Sequence, residues 1–508
     1  MSTSLQTNDG FAKPWRTLGE RYGERPVMIW DEDGSAFAAA DVHSLADAFA
    51  AKVARSVSPG GVVAICGPAR PESLIACWGT WLAGRVVAAV DPARDRGFVA
   101  AALARCKPQL FLCASKALAG AAPPSAETCL FEDLPELLAA AGNAARASAN
   151  TVADDAPGAI LFTSGSSGLP KGVVLSRRGL WGSARVLIQT YGWGRDDRLL
   201  CTAGLHSMSG LRNPAVAAPL AGTTIVLENS PVHARPTAVA DACRRQAVTV
   251  LTTAPAMLPP LSISLRPDAS RLRMVLSTGA PLFGDVACRI ESKLGVPIYD
   301  YYGLTETSGA CIMVTPDMYP AAPGVIGRAV DCAARIVRED GAECAPGELG
   351  ELAVSSERLM LGYLDDGAAT AAVLRDGWFY TGDMAVMDRN GAITLRGRRD
   401  DRIKTRSGDI LYPAEVEAKL LACPAVRDVH VRPERGADAE ARLDLLVVPA
   451  DPHAELADVT AAVRQHLKNH GMTGITIGKV AVCDAIPRTG HGKIDQERVQ
   501  DISGRRGQ

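Results

Sequence analysis

A loop rich in glycine and hydroxyl side chains lies within AILFTSGSSGLPKGVVLS, residues 159–176. Glycines let backbone amides approach a ligand, hydroxyls donate to oxygen atoms, and a lysine adds a positive charge. This combination suits a polyphosphate, although the spacing is not that of a Walker loop. A plain Ser/Gly linker would not explain the apolar run before it. The residues concerned are Thr163, Ser164, Gly165, Ser166, Ser167, Gly168 and Lys171.

Five further segments carry candidate functional residues. A carboxylate such as Asp383 can accept two hydrogen bonds from the vicinal hydroxyls of a sugar. Another, Glu306, suits magnesium, which is usually bound through one or two carboxylates and the phosphates of its substrate. Alone, Thr-Gly-Asp is a common turn and an aromatic run is often core packing. The segments are GLHSMSGL (204–211), LRMVLSTGAPL (272–282), IYDYYGLTETSG (298–309), WFYTGDMAVMDRNG (378–391) and AIPRTGHGKID (485–495).

In this order, the motifs resemble those of the ANL superfamily of adenylate-forming enzymes, which includes acyl-CoA and aryl-CoA synthetases, adenylation domains of peptide synthetases, and beetle luciferases. The loop is similar to the family signature Thr-Ser-Gly-Ser-Thr-Gly-x-Pro-Lys-Gly, with Ser167 in place of the second threonine. The resemblance covers nearly the whole chain. It implies ATP, Mg²⁺ and either coenzyme A or the phosphopantetheine of a carrier protein as cofactors.

The resemblance also implies roles for individual residues. The catalytic set is Lys493, Glu306, His206 and Thr305, with Glu306 and Thr163 at the metal. Besides the loop, ATP or AMP contacts are expected from Gly279, Ala280, Pro281, Tyr301, Tyr302, Gly303, Asp383 and Arg398. The substrate pocket is expected to contain His206, Ser277, Gly303 and Ser308. Asp400 is the expected hinge, and Lys404 and Gly408 are expected to serve thioester formation.

The implied function is ATP-dependent activation of a small carboxylic acid to an acyl adenylate, followed by acyl transfer to a thiol. Coenzyme A is the expected acceptor. The segment IKTRSGDILYP, residues 403–413, departs from the commonest family pattern in length and at Ile410. An alternative is therefore a free-standing acyl-AMP ligase that loads a separate acyl carrier protein or another nucleophile. A non-catalytic nucleotide-binding regulatory protein is a third possibility, against which Lys493, Glu306 and Asp383 together argue.

The elements that must position these residues follow from hydrophobic patterning. Between residues 40 and 310, helical segments alternate with apolar runs such as GVVAIC and RVVAAV, which predicts an α/β fold with buried parallel strands. Short strands after residue 347 predict a small β-rich piece, and the last hundred residues predict a compact α+β unit. We expect a large domain over residues 1–399 and a small domain over 400–508.

Composition excludes several other classes of protein. The 508 residues are 47% hydrophobic and 22% charged, as in a globular protein, and the formal net charge of -2 argues against nucleic-acid binding. The 13 cysteines form no C-x-x-C pair, which is typical of a reducing cytoplasm. The apolar stretch at 74–90 contains Arg85 and predicts a buried helix followed by a buried strand rather than a membrane span.

Overall fold

The computed structural model describes most of the chain. Seven predicted site residues lie outside the described part, namely Gly165, Ser166, Ser167, Gly168, Pro281, Gly408 and Lys493. Only the backbone is described at Ser164 and Lys404. The described residues are 15, 17–136, 152–164, 169–228, 235–265, 271–280, 282, 284–322, 324–404, 410–435, 441–472, 475–488, 494–495, 498–499 and 502.

Strands run through the whole described chain. They are β1 (Pro26–Trp30), β2 (Ala36–Ala38), β3 (Val62–Cys66), β4 (Val86–Val90), β5 (Leu110–Cys113), β6 (Glu127–Leu130), β7 (Pro157–Ser164), β8 (Pro170–Ser176), β9 (Arg198–Cys201), β10 (Thr224–Leu227), β11 (Val250–Thr253), β12 (Met274–Ser277) and β13 (Ile298–Leu304). The later strands are β14 (Gly309–Met313), β15 (Val325–Ala329), β16 (Ala333–Val337), β17 (Leu349–Ser355), β18 (Gly362–Tyr363), β19 (Leu374–Arg375), β20 (Trp378–Met387), β21 (Ile393–Arg398), β22 (Ile403–Lys404), β23 (Ile410–Leu411), β24 (Val426–Arg435), β25 (Ala441–Pro449) and β26 (Thr476–Val482).

Helices connect many of these strands. They are α1 (Leu18–Tyr22), α2 (Ala39–Ser56), α3 (Pro71–Leu82), α4 (Arg96–Cys106), α5 (Lys116–Ala119), α6 (Arg177–Tyr191), α7 (Met208–Arg212), α8 (Ala218–Ala221), α9 (Pro236–Arg245), α10 (Leu258–Ser264), α11 (Gly284–Leu294), α12 (Gly367–Val373), α13 (Pro413–Leu420) and α14 (Leu456–Asn469). Within the part of the chain that the structure describes, no helix is long and apolar enough to cross a membrane.

A seven-stranded sheet carries the glycine-rich loop at its edge. Its order is β18-β8-β7-β4-β3-β5-β6, with β7, β4, β3, β5 and β6 parallel. Every residue of β4 is buried, as expected for an apolar strand with parallel neighbours on both sides. Since β4 follows the buried helix α3, the helix-then-strand prediction for this stretch is confirmed. The loop joins β7 to β8, which pair antiparallel.

A second sheet of fourteen strands changes direction at β13. On one side β13 runs parallel to β12, and the parallel arrangement continues through β11, β9, β10 and β1. On its other side β13 pairs antiparallel with β14, and antiparallel strands follow to β16. In the β13/β14 ladder Tyr302 faces Ile312 while Gly303 faces Ala310, so Cys311 is an extra residue in the ladder. The β-rich piece predicted after residue 347 extends this antiparallel half.

The carboxy-terminal residues form a separate three-stranded sheet in the order β24-β25-β26. Helices α13 and α14 contact this sheet and enclose a core that includes Val416, Val431, Leu443 and Val463. The predicted α/β fold class, with a β-rich piece and an α+β carboxy-terminal unit, is thereby confirmed. The domain boundary between residues 399 and 400 stays a prediction.

The interior is also rich in thiols. All 13 cysteines are free, and most of them are buried. Burial raises the pKa of Cys106, Cys243 and Cys311 to about 12, because a thiolate is poorly solvated in an apolar interior. These buried thiols therefore stay protonated at neutral pH and lack the reactivity of a thiolate.

Candidate functional site

A cleft of about 1780 Å³ lies between the large sheet and the carboxy-terminal unit. Its wall on the large-sheet side includes the ends of β12, β13 and β21. The opposite wall is built from α13, β24 and the segment after β26. Predicted site residues that line the cleft are Gly279, Ala280, Tyr301, Tyr302, Gly303, Asp383 and Arg398. The cleft therefore brings together these seven predicted residues, whereas Thr163 and Lys171 of the glycine-rich segment do not line it.

Asp383 is held at this cleft by donors from two other strands. The hydroxyl of Tyr302 donates a 2.5 Å hydrogen bond to Asp383 Oδ2, and Arg398 Nε lies 3.0 Å from Asp383 Oδ1. The arrangement follows from strand register, since Asp383 and Arg398 face each other across β20 and β21. Arg398 also donates to the carbonyl oxygen of Thr381 at 3.0 Å. Burial, and next the charge of Asp383, raise the pKa of Tyr302 well above its ordinary value, so its hydroxyl stays a donor.

Asp300 is a carboxyl group of the cleft that our sequence analysis missed. It lies on β13, two residues before Tyr302, and lines the same cleft. Burial raises its pKa to about 8 because the charged form loses solvation there. A single carboxyl in the aromatic run IYDYY is the sequence signal that could have identified it. A neutral carboxyl of this kind offers one hydrogen-bond donor and one acceptor.

Lys171 and Glu306 are joined through a tyrosine that the sequence analysis also missed. Lys171 Nζ lies 3.5 Å from the centroid of the Tyr363 ring, and the Tyr363 hydroxyl donates a 3.0 Å hydrogen bond to Glu306 Oε1. Burial and the neighbouring carboxylate raise the pKa of Tyr363. Thr163 faces Lys171 across β7 and β8, and its hydroxyl donates to the Lys171 carbonyl oxygen at 3.4 Å.

This group of residues fits a magnesium ion. Glu306 offers a carboxylate, which is the hard oxygen donor that magnesium takes, and the metal roles predicted for Thr305 and Thr163 stay predictions. Among the described residues, no cluster of three or more His, Cys, Asp or Glu side chains could hold a metal on its own. A single carboxylate is sufficient where phosphates of a bound nucleotide complete the coordination.

His206 lies at the junction of the two sheets. Its Nε2 atom is 3.2 Å from Asp91 Oδ2, and both side chains are largely buried. Asp91 directly follows β4 in the seven-stranded sheet, whereas His206 follows β9 in the larger sheet. Ser207 caps α7 by accepting a 3.0 Å hydrogen bond from the Gly210 amide, which fixes the backbone beside the histidine. Asp91 is a further residue that the motifs did not indicate.

Three predicted residues have buried side chains. The Ser308 hydroxyl is fully buried and donates a 2.5 Å hydrogen bond to the Arg358 carbonyl oxygen. The Tyr301 hydroxyl accepts a 3.0 Å hydrogen bond from buried Arg212, so its ring belongs to the core. Ser277 ends β12 and is fully buried. The pocket roles predicted for Ser277 and Ser308 therefore stay predictions, whereas Gly303 lines the cleft.

Asp400 lies in a short 3₁₀ turn, Arg399–Asp401, between the two walls of the cleft. Its side chain is 90% exposed, as a connecting position allows. The neighbouring Arg399 lies 2.9 Å from Glu351 in an ion pair that ties the turn to β17. Lys404 follows in β22, and the structure places only its backbone.

The chain is similar to several characterised families of proteins. Residues 15–364 match the family model described as AMP-binding enzyme. An indoleacetate–CoA ligase of Aromatoleum aromaticum is 33% identical over 365 residues, which cover 70% of this chain and 69% of that protein. A feruloyl-CoA synthase of an Amycolatopsis species is 33% identical over 346 residues, covering 66% of this chain and 67% of that protein.

Solved structures share the fold across almost the whole chain. The crystal structure of ATP-bound MatB from Rhodopseudomonas palustris superposes with a TM-score of 0.86 at 24% identity, and the match covers 96% of this chain and 98% of that one. The family model covers more than half of the sequence, and the resemblance inferred from the motifs is confirmed. The chain therefore belongs to the AMP-binding enzymes, the superfamily of adenylate-forming enzymes, and is an AMP-forming ligase.

Proposed function

We propose that the protein joins a carboxylic acid to coenzyme A in two steps at the described cleft. In the first step a carboxylate oxygen attacks the α-phosphorus of ATP, and pyrophosphate leaves. In the second step the sulfur of coenzyme A attacks the acyl carbon of the adenylate, its proton is released, and AMP leaves. The observation that carries the proposal is the Asp383 carboxylate, held between Tyr302 and Arg398 at the wall of the cleft.

Asp383 is suited to bind the ribose of the nucleotide. Tyr302 and Arg398 approach different oxygens of the carboxylate, which fixes its plane. A carboxylate oxygen can accept more than one hydrogen bond. Two such bonds match the vicinal hydroxyls of a ribose, so the pair of protein donors prepares the carboxylate before ATP arrives.

The adenine is proposed to lie between β12 and β13. Small residues at Gly279 and Ala280 leave room for a flat base, and Tyr302 offers an aromatic face. Asp300, which is neutral over much of the physiological pH range, can accept from an amine and donate to a ring nitrogen. Adenine presents such a pair on its edge.

The phosphates are proposed to meet Lys171 and the Glu306 site. Lys171 supplies a positive charge next to the glycine-rich loop, and the loop hydroxyls supply donors. Magnesium, held by Glu306 with Thr305 and Thr163 nearby, would neutralise charge on the phosphate oxygens as pyrophosphate departs. Positioning and electrostatic stabilisation supply most of the rate enhancement in such phosphoryl chemistry.

His206 is proposed to orient the acid being activated. Asp91 Oδ2 lies 3.2 Å from His206 Nε2, close enough for the charge of the carboxylate to favour one orientation of the imidazole ring. An oriented imidazole can donate a hydrogen bond to a carboxylate and offset charge at the reacting centre. The location at the junction of the two sheets places this group beside the end of the seven-stranded sheet that carries the loop.

The acid is proposed to be an aryl acid. By their names, the two relatives act on indoleacetate and ferulate, and each of these acids carries an aromatic ring. The same names support coenzyme A as the acceptor. We propose that rotation about Asp400 withdraws Lys493 after adenylation and brings Lys404 and Gly408 to the cleft for the second step.

The test is pyrophosphate release over a panel of aryl, short-chain and medium-chain acids, each with and without coenzyme A. We expect release that rises with coenzyme A for aryl acids. Lys493→Ala should lower adenylation about a hundredfold while leaving thioester formation from supplied acyl adenylate much less affected. Lys468→Ala, a lysine on the exposed face of α14, is the control.

Two results would change the proposal. Pyrophosphate release that does not change with coenzyme A would support the adenylation step. The acceptor would then be a carrier protein or another nucleophile. The longer segment at 403–413 is the feature that favours this alternative. Equal losses in both steps for Lys493→Ala would overturn the division of roles between Lys493 and the Lys404–Gly408 segment.

A further inference from the structure

Tyr363 touches two groups of opposite charge that are expected to serve different parts of one ligand. Tyr363 pairs with Val173 in the β18/β8 ladder, and this pairing holds it beside Lys171, the second residue of β8. The backbone of the preceding segment also reaches the metal site, because the Met360 amide donates a 2.8 Å hydrogen bond to the Glu306 carbonyl oxygen. The tyrosine is therefore fixed relative to both partners by main-chain contacts.

The two contacts use different parts of the side chain. The ammonium of Lys171 lies over the ring face, where the aromatic quadrupole attracts a cation. The carboxylate of Glu306 accepts from the hydroxyl at the far end of the ring. Lys171 and Glu306 form no direct ion pair with each other within the described chain, so the ring lies between the two charges.

The separation matters because both groups are needed by the same ligand. A lysine and a glutamate in direct contact would neutralise each other, and the nucleotide and its metal would have to break that ion pair before binding. With the tyrosine in place, Lys171 keeps a weaker partner and remains available to a phosphate. Glu306 has Oε1 occupied by a hydrogen bond, which leaves Oε2 as the free donor for a metal.

We propose that Tyr363 is a positioning residue that holds Lys171 and Glu306 apart and orients the Glu306 carboxylate for magnesium. The inference rests on the proposed function, since it assumes that Lys171 meets the phosphates and that Glu306 meets the metal. It assigns separate tasks to the ring and to the hydroxyl. The ring prevents an ion pair between Lys171 and Glu306, and the hydroxyl orients the Glu306 carboxylate.

The tasks can be separated by calorimetry of the binding of an α,β-methylene analogue of ATP, which cannot transfer its adenylyl group to an acid. Tyr363→Phe keeps the ring, so its affinity for the metal-free analogue should stay within about twofold of wild type. Mg²⁺ is expected to tighten the binding of the analogue. The Mg²⁺ concentration that gives half of this effect should be about tenfold higher in Tyr363→Phe, because a hydrogen bond to a charged group is lost. Tyr380→Phe removes a hydroxyl that accepts from Arg335 elsewhere in the protein and is the matched control.

The ring is tested by Tyr363→Leu. This variant should lose about tenfold in affinity for the metal-free analogue as well, because Lys171 can then pair with Glu306. Adding Glu306→Gln to Tyr363→Leu should restore most of the metal-free affinity, since the competing charge is gone. Thermal unfolding of each variant shows whether the fold is retained, and the rescue by the second substitution would not occur in a misfolded protein.

The outcomes are distinct. An unchanged Mg²⁺ dependence in Tyr363→Phe would overturn the role of the hydroxyl. Failure of Glu306→Gln to restore affinity in the Tyr363→Leu background would overturn the role of the ring. If the wild-type protein itself does not bind the analogue with Mg²⁺, the proposed function fails, and this result is separate from the other two.

Discussion

The hydroxyl of Tyr302 donates a 2.5 Å hydrogen bond to Asp383, a residue 81 positions later in the chain. The bond crosses from β13 to β20, two strands that are not neighbours in the sheet. Arg398 approaches the other oxygen of the same carboxylate from β21. Three strands thus fix one buried carboxylate at the rim of the cleft, which is what a binding group for a diol requires.

Asp383→Asn should raise the KM for ATP at least about tenfold. The amide would present an NH₂ group to Arg398 or to Tyr302, and it offers only one oxygen to the ribose hydroxyls. Steady-state pyrophosphate release at varied ATP gives the value. Asp388 is an exposed turn residue of the same β-rich piece, and Asp388→Asn should leave the KM for ATP unchanged. A rise in KM of similar size in both variants would contradict the ribose role of Asp383.

Asp91→Asn should lower kcat about tenfold while the KM for ATP stays within twofold. The substitution keeps the shape of the side chain but removes the charge that orients His206. The effect on kcat should vanish in a His206→Gln background, because we expect the charge of Asp91 to influence the reaction through the histidine. Additive losses in the double variant would refute this dependence. Asp196→Asn, at an exposed position, is the control.

Asp300 should make stability depend on pH. The unfolded carboxyl has an ordinary pKa near 3.8, whereas the folded one has a pKa of about 8. Between these values the folded chain holds a proton that the unfolded chain releases, so raising the pH lowers the free energy of unfolding, by up to about 1.4 kcal/mol per pH unit.

Asp300→Asn should remove that slope. Urea unfolding at pH 5 and at pH 8 should show a smaller loss of stability with rising pH in the variant than in the wild-type protein. Asp376→Asn changes an exposed carboxyl and should retain the wild-type slope. Parallel slopes for wild type and Asp300→Asn would show that Asp300 is ionised in the folded chain at pH 5.

Gly309→Ala should destabilise the fold more than Gly391→Ala does. Both glycines have positive φ angles, +94° and +77°, so an alanine is strained at either position. A Cβ at Gly309 would also lie 2.3 Å from Arg212 Nη1, whereas a Cβ at Gly391 would meet nothing within 4 Å.

The difference between these two variants measures the clash with Arg212. We expect Gly391→Ala to cost about 1 kcal/mol and Gly309→Ala about 3 kcal/mol, because the guanidinium is fully buried and cannot move freely. Denaturant unfolding monitored by fluorescence gives both values. Equal costs would mean that Arg212 relaxes without penalty.

The sequence predicted the parallel strands and the residues of the contiguous motifs. Apolar runs such as VVAAV are buried on both faces, and the motif residues Tyr302 and Asp383 line the same cleft. Two of the missed residues, Asp91 and Tyr363, contact His206 and Glu306 through long-range pairing. Tyr363 is 57 residues from Glu306, and no local pattern in LGYLDD indicates that contact.

Side-chain direction was the other limit on prediction from sequence. Ser308 lies next to motif residues, yet its hydroxyl bonds the backbone of Arg358. Its φ angle of +54° and the buried turn around it decide where the side chain points. Such a direction depends on the packing of α6 and of the segment near Arg358 on the turn, which spacing along the chain does not report.

The extra residue at Cys311 also sets the relative phase of two halves of the site. Tyr302 lies on β13, and Glu306 lies four residues later in the 3₁₀ turn Thr305–Thr307 that joins β13 to β14. Side chains alternate between the two faces of a strand. One residue more or less in β14 would therefore exchange inward and outward side chains only for the residues on one side of Cys311. The irregularity therefore works as a fixed offset between the strand pair at Tyr302 and the pairs next to the turn that carries Glu306.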